Sequence, residues 1–219
     1  MTNLLLVNLT FVLLFGPSAF CQVGRPEGGR AAHSDEAGLV SRFRIERAGT
    51  AAGALFVFRG GAETRIADDA LNAWILAGGH EVAYSSPDGS GGYENEGQAL
   101  RLYDSRTGES TKILSEYFLI ENVKEAQTTN GQRALLVEMR DGGLGASHLA
   151  VVDPRRGEVF VKQKVRLVTE RGGTVVVAYY RDEDWETLAR GQPVSPYKKQ
   201  SYSLRKLLKH EVIVNKQMP

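Results

Sequence analysis

The chain has 219 residues, of which 42% are hydrophobic and 24% are charged, a composition typical of a globular domain with a hydrophobic core. Its 27 Lys and Arg against 26 Asp and Glu give a formal net charge of +1. This balance argues against a general nucleic-acid-binding domain, which is normally strongly basic. The single Cys excludes an intramolecular disulfide framework and a Cys-rich zinc site, and the four scattered His do not indicate a metal centre.

An apolar run near the N-terminus, Leu4–Phe15, has the length of a signal-peptide core and is short for a transmembrane helix. A Gly-Pro pair follows it, and Ala19 and Cys21 place small residues at the −3 and −1 positions of a cleavage site. We therefore expect residues 1–21 to be a signal peptide and the protein to be periplasmic or secreted.

Lipid attachment at Cys21 is the less favoured alternative, because Phe20 stands where a bacterial lipobox requires a small residue. The rest of the chain has no other hydrophobic run of membrane length, so we expect no transmembrane segment in the mature protein. Residues 22–40 are rich in Gly, Ala and charge and are interpreted as a flexible lead-in. Residues 41–219 are predicted to form a single all-β repeat domain.

Three segments of this domain resemble one another: GALFVFRGGAETRI from Gly53, ALRLYDSRTGESTKI from Ala99 and LAVVDPRRGEVFV from Leu149. Each combines a β-rich strand, a short polar turn and a second strand, as in a hairpin. Gly108 and Gly157 stand late in their turns, where a left-handed residue closes a type I turn with a bulge. Similarity at intervals of about 40–50 residues is typical of stacked supersecondary units such as propeller blades.

Another apolar, β-branched strand precedes each of the later hairpins, at residues 80–86 and 132–139, and residues 173–180 begin a further unit. Nearly continuous apolar runs predict strands buried on both faces, as in sheets stacked against each other. We predict an all-β fold of repeated four-stranded antiparallel units, β-propeller-like with about four blades. A compact ring, an open array and a β-sandwich remain alternatives.

Residues 73–114 resemble one blade of a TolB-type β-propeller, and residues 118–168 match more loosely. The resemblance rests on Ala-Trp at 73–74, the strand with Ala-Tyr and Ser-Ser-Pro-Asp-Gly at 83–89, and the Tyr-Asp-x-x-Thr-Gly hairpin at 103–108. It implies a propeller fold and protein–protein contacts in the cell envelope.

The C-terminal stretch permits two interpretations. Ser203–Val212 has apolar residues at helical spacing, with Ser203 as an N-cap, and residues 210–214 then become β-like. A helix ending near His210 with a short strand after it is favoured over a final hairpin.

Catalytic motifs give little guidance. The sequence contains no G-x-S-x-G, no H-E-x-x-H and no P-loop. His80 and His148 flank strands and are interpreted as structural, and the acidic pairs Glu94/Glu96 and Asp182/Asp184 have no EF-hand-like spacing. We therefore predict no metal site and no cofactor.

The long loops are more informative, because each falls between the second and third strands of a unit. If the units are blades, these loops emerge on one face, and loops on a rigid scaffold concentrate binding residues. We predict an acidic binding face with two aromatic side chains, formed by Asp88, Tyr93, Glu94, Glu96, Asp141, Asp182, Asp184 and Trp185. For Trp185, packing beneath its loop is the alternative.

The preferred functional hypothesis is a periplasmic or secreted, non-catalytic binding module of the cell envelope. Its partner would be another envelope protein or a carbohydrate-like ligand, which suit an acidic surface with a Tyr and a Trp. The competing hypothesis is a hydrolase, or an accessory domain of one, that uses the loop carboxylates. A structural envelope protein, oligomeric through an unpaired sheet edge, is the third.

Overall fold

The computed structural model describes residues 38–76, 78–88, 97–116, 118–143 and 145–209. All of these belong to one compact unit, Ser34–Pro219. The predicted signal peptide and most of the predicted lead-in lie outside the described residues.

The described chain forms four antiparallel sheets in which neighbouring strands are consecutive in sequence. The first sheet holds β1 (Val40–Glu46), β2 (Gly53–Arg59) and β3 (Ala62–Ala70), and the second holds β4 (Asn72–Ile75), β5 (Glu81–Pro87), β6 (Gln98–Asp104) and β7 (Glu109–Glu116). The third holds β8 (Leu119–Gln127), β9 (Arg133–Arg140), β10 (Ser147–Asp153) and β11 (Glu158–Lys162), and the fourth holds β12 (Val165–Arg171), β13 (Thr174–Tyr179) and β14 (Lys198–Ser203). Two short helices complete the unit, α1 (Asp184–Ala189) between β13 and β14 and α2 (Leu204–Leu208) after β14. The prediction of an all-β, propeller-like fold built from repeated antiparallel units is confirmed.

The two hairpins with matching sequences have the same geometry. Asp104 pairs with Glu109 across one turn, and Asp153 pairs with Glu158 across the other. In each turn the glycine N–H donates to the carbonyl of the aspartate at 2.9 Å, and Gly108 and Gly157 have φ values of 75° and 67°. The predicted equivalence of these turns is therefore confirmed.

The repeat shows how the three-stranded sheets relate to the four-stranded ones. The matching hairpins join the third and fourth strands of the second and third sheets, and the first copy of the repeat is β2 with β3. The predicted upstream strands are β5, β9 and β13, each the second strand of its unit. Within the described residues, the first sheet thus lacks a counterpart of the first strand, and the fourth sheet lacks a counterpart of the fourth strand.

Each pair of consecutive sheets encloses its own hydrophobic cluster. Leu55 and Val82 belong to the cluster between the first and second sheets, and Leu100 and Leu135 to the one between the second and third. The cluster between the third and fourth sheets includes Leu136 and is closed by apolar residues of α2. The part of the chain that the structure describes shows no corresponding cluster between the first and fourth sheets.

The predicted C-terminal helix is present, and it ends at Leu208, close to the predicted end near His210. Residues 201–203 belong to β14, and α2 covers only Leu204–Leu208. Ser203 precedes the helix in an extended conformation, but its side chain makes no capping hydrogen bond. The helix forms because its apolar residues are buried against the third and fourth sheets. The predicted strand after it lies outside the described residues.

Candidate binding face at the loop-bearing end

The three long connections stand at the same end of their sheets, as the repeat predicted. They span residues 88–97, 141–146 and 180–197 and join β5 to β6, β9 to β10 and β13 to β14. We call this end of the unit the loop-bearing end. The predicted binding residues Tyr93, Glu94 and Glu96 fall outside the described residues, whereas Asp88, Asp141, Asp182, Asp184 and Trp185 are described.

The connections of the third and fourth sheets are packed against each other. A Cβ at Gly145 would lie 2.8 Å from the Cβ of Ala189 in α1, and the φ of Gly145 is 70°. Only glycine is free of strain at such a backbone conformation and leaves room for so close an approach. The two loops therefore form one continuous surface.

Trp185 anchors α1 to the core and does not contribute to this surface. Its side chain is fully buried and meets Tyr180 edge-on, with ring centroids 5.3 Å apart. The expectation that Trp185 is exposed to a partner is therefore wrong. The alternative, that Trp185 packs beneath its loop, is the observed arrangement. A helix of six residues has too little hydrogen bonding to be stable alone, so a large buried ring provides most of its anchoring.

Two of the predicted carboxylates organise the loops from which they project. Asp141 accepts the backbone N–H of Gly145 through Oδ1 at 2.9 Å, and Asp184 accepts that of Arg181 through Oδ2 at 3.1 Å. Such bonds are the ordinary role of aspartate in turns.

The other two described carboxylates form ion pairs. Asp88 Oδ1 lies 3.4 Å from Lys112 Nζ, and Asp182 Oδ1 lies 2.8 Å from Lys164 Nζ. Asp182 and Asp184, which are two positions apart in the sequence, therefore have separate partners. The described carboxylates share one end of the molecule, but each interacts with a donor of its own.

A cavity of about 180 Å³ lies where these loops meet the third and fourth sheets, and no sequence pattern indicates it. Its lining residues are Glu121, Arg140, Gly145, Ser147, Arg166, Leu188 and Ala189. Arg140 and Glu121 form an ion pair at 2.8 Å. These residues come from four separated segments, so no local motif could have brought them together.

His148 is the buried titratable group of this end. It is 4% exposed and stacks on Phe118 with ring centroids 4.0 Å apart. Its Nδ1 accepts the backbone N–H of Lys164 at 3.4 Å, and its Nε2 lies 3.7 Å from Asp141 Oδ2. Burial lowers the pKa of His148 below its ordinary value of 6.5, and Asp141 opposes that shift. The imidazole is consequently neutral at pH 7, with Nδ1 as the acceptor.

Neither a metal centre nor a membrane-spanning helix is found among the described residues. No three or more His, Cys, Asp or Glu side chains of that part of the chain are grouped closely enough to hold a metal ion. The helices of the same part are too short to span a bilayer.

Comparisons with known proteins show no family for this chain. No protein-family profile matches the sequence, and no curated protein matches it significantly. The β-propeller domain of the Trilobed protease from Pyrococcus furiosus, described as having an open velcro topology, is similar with a TM-score of 0.44 and 16% identity over 66% of this chain. An acylaminoacyl peptidase in complex with Z-Gly-Gly-Phe-chloromethyl ketone is similar with a TM-score of 0.42 and 16% identity over 57% of this chain. This chain spans 42% and 23% of those two proteins. The β-propeller-like architecture itself rests on the four consecutive antiparallel sheets described above.

Proposed function

We propose that this protein is an exported, non-catalytic binding module that contacts a partner protein through its loop-bearing end. The observation that carries the proposal is the close contact of Gly145 with α1, which joins the loops of two sheets into one preformed surface. A surface that is already ordered loses little conformational entropy on binding.

The described part of this surface offers the chemistry of a protein interface. Tyr197 is 59% exposed at the end of the 180–197 connection, and Arg181 and Glu183 are exposed at its start. Tyr and Arg are enriched at the energetic centres of protein–protein interfaces. The TolB-type resemblance of residues 73–114 supports the same choice, because it implies protein contacts in the cell envelope.

The proposal includes export to the periplasm or the cell exterior with removal of residues 1–21. Mass spectrometry of the protein recovered from its native envelope tests this step. A mature N-terminus at Gln22 is expected. A retained Met1 would contradict removal of a signal peptide. A diacylglycerol mass on Cys21 would show that the protein is anchored by a lipid instead.

The binding proposal is tested with the 219-residue chain as bait in envelope extract from its own source. One variant carries Arg181→Ala, Glu183→Ala and Tyr197→Ala at the loop-bearing end. The matched control carries Arg171→Ala, Glu109→Ala and Asn130→Ala, one cation, one anion and one neutral side chain, all exposed at the opposite ends of the sheets. We expect a captured protein to be retained by the control and lost by the loop variant.

Equal capture by both variants, with both folded, would contradict a binding role for this end. The hydrolase alternative makes a different demand, because it requires a loop carboxylate that moves a proton. Loss of a hydrolytic activity on Asp141→Asn or Asp182→Asn, with no effect of the triple loop variant on partner capture, would favour that alternative.

A further inference from the structure

We propose that the end of the third sheet opposite the loops carries a phosphate-binding site formed by Arg155 and Arg156. This inference goes beyond the proposed function and uses a different surface. A cavity of about 330 Å³ lies between the β8–β9 turn and the β10–β11 turn, lined by Gly131, Gln132, Arg133, Asp153, Arg155 and Arg156.

In the equivalent hairpin of the second sheet, the corresponding arginine is already bound by the aspartate of its own turn. Arg106 donates to Asp104 through Nε at 3.1 Å and Nη2 at 2.8 Å. This side-chain hydrogen bonding is the main reason why the pKa of Asp104 is lowered to about 2. The Arg106 guanidinium is therefore neutralised by its own turn.

In the third sheet the aspartate is turned away from the arginine side chain. Gln132 Nε2 donates to Asp153 Oδ2 at 2.8 Å, and the backbone N–H groups of Arg155 and Arg156 donate to Asp153 Oδ1 at 2.9 and 3.2 Å. Asp153 is only 3% exposed. Burial opposes ionisation, but these three donors together lower the pKa of Asp153 below its ordinary value. The carboxylate is thus ionised and fully engaged without the Arg155 guanidinium.

One position explains the difference between the twins. Val152 pairs with Leu135 in the third sheet as Tyr103 pairs with Val82 in the second. Three residues before those partners, the third sheet has Gln132 and the second sheet has Gly79. A Cβ at Gly79 would lie 2.9 Å from the carbonyl oxygen of Val40, so no side chain can reach Asp104 from there.

The backbone of Gln132 is fixed by hydrogen bonds, so its side chain is positioned to reach Asp153. Its backbone N–H donates to Thr128 Oγ1 at 2.9 Å, and its carbonyl accepts the backbone N–H of Thr128 at 2.8 Å. The adjacent wall of the cavity is Arg133, whose guanidinium pairs with Glu81 and, at 2.8 Å, with Glu125. Arg133 is therefore immobilised in the cavity wall, and its positive charge is largely neutralised by the two carboxylates.

Two guanidinium groups then remain to face a ligand. Arg155 and Arg156 are exposed, and among the described side chains Arg155 has no ion-pair partner. Arg156 forms only a long ion pair with Asp153, with Nε 4.0 Å from Oδ2, and makes no hydrogen bond to that carboxylate. Guanidinium groups bind phosphate through parallel N–H donors, and two on adjacent residues can bind several of its oxygens together.

The first test is a titration of the ¹⁵N-labelled 219-residue chain with inorganic phosphate at constant ionic strength, followed on the arginine Nε–Hε signals. We expect saturable shifts at Arg155 and Arg156. The double variant Arg155→Gln/Arg156→Gln should bind phosphate at least tenfold more weakly, whereas Arg106→Gln in the twin hairpin should stay within twofold of the parent.

The sharpest variant removes no cation. Gln132→Ala releases Asp153 Oδ2, which can then pair with Arg155 as Asp104 pairs with Arg106, and phosphate affinity should fall at least threefold. Non-saturating shifts of equal size at Arg106 and Arg155, or unchanged affinity in the double variant, would overturn the proposal. The three arginine side chains that are altered are exposed and Gln132 is half-buried, so the melting temperature of each variant is measured to verify folding.

A second arm identifies the source of the phosphate group. Phosphatidylcholine vesicles with and without phosphatidylglycerol are sedimented with the parent chain and the double variant. Anionic-vesicle binding that the double variant loses assigns the site to a lipid headgroup. Saturable binding of inorganic phosphate without such vesicle binding assigns it to a soluble phosphate compound.

Discussion

The second and third sheets, which we call the middle sheets, differ from the first and fourth, the end sheets, in how many of their faces are buried. In β9 the adjacent residues Leu135 and Leu136 are both buried, one toward the second sheet and the other toward the fourth. In β2 the adjacent residues alternate, with Leu55 fully buried and Phe56 half-buried. Strands between two sheets need apolar residues on both faces, whereas a strand at the end of the stack needs them on one.

One face of the first sheet, which we call its free face, is not covered by another sheet of the described residues and carries half-buried aromatic side chains. Arg42 lies 4.0 Å above the ring of Phe58, and Arg44 lies 4.1 Å above that of Phe56. Arginine can cover an aromatic ring with its planar group while its charge stays hydrated. The free face of the fourth sheet is less covered, and Val168 is 47% exposed.

The largest expected effect comes from truncating neighbouring core residues. Leu135→Ala and Leu136→Ala should each lower the free energy of unfolding by about 2–5 kcal/mol, because each opens a cavity in a different cluster. In the end sheet, Leu55→Ala should cost a similar amount and Phe56→Ala only about 1 kcal/mol. Urea-induced unfolding measures all four. A loss at Phe56 as large as that at Leu55 would mean that the outer face is covered.

The next effect concerns the ion pairs of the two regions. Arg133 joins β9 to Glu81 of the second sheet and is 22% exposed, so Arg133→Met should lower the free energy of unfolding by about 2 kcal/mol, because the largely buried carboxylate of Glu81 loses its ion pair. Arg44, which pairs with Glu63 at 2.5 Å on the free face of the first sheet, is 44% exposed. Arg44→Met should cost less than about 1 kcal/mol, since water screens an exposed ion pair and the contact of Arg44 with the Phe56 ring is also exposed. Equal losses in the two variants would contradict the distinction.

A smaller effect tests whether the middle sheets repeat each other in energy as well as geometry. Gly108→Ala and Gly157→Ala place a Cβ at left-handed φ in open space, so each should cost about 1–2 kcal/mol from backbone strain alone. Because the two turns are equivalent, the two losses should agree to within about 0.5 kcal/mol, the usual tolerance for independent sites. Thermal unfolding of both variants measures the difference. A clearly larger loss at one position would show that its turn has further contacts.

The smallest effect is a pH dependence at the loop-bearing end of the third sheet. The pKa of His148 is lowered on folding, so the unfolded chain binds more protons below its ordinary pKa of 6.5. The free energy of unfolding should therefore decrease as the pH falls below about 6.5, down to the folded-state pKa, by at most about 1.4 kcal/mol per pH unit. Urea midpoints between pH 7 and pH 5 measure it. His148→Gln should flatten the curve over this range; a parallel curve would assign the dependence to other groups.

The loop-bearing end shows where sequence reasoning was incomplete. Repeat periodicity located its three connections correctly, because strand order determines the end at which each loop emerges. It could not tell that Trp185 points into the core or that Asp182 pairs with Lys164, because both depend on the fold of the 180–197 connection and its contacts with other segments. The cavity with Arg140 and Arg166 was missed for the same reason.

The sequence by itself determined the all-β class, the repeat and the two matching hairpins, because strand periodicity and turn residues act over a few neighbouring positions. Tertiary structure alone decided what equivalent residues do. Asp104 and Asp153 occupy the same place in the same turn, yet one binds its own arginine and the other binds Gln132. The cause lies just before the neighbouring strand, where the close approach of Val40 allows only glycine in the second sheet and the third sheet has room for a glutamine.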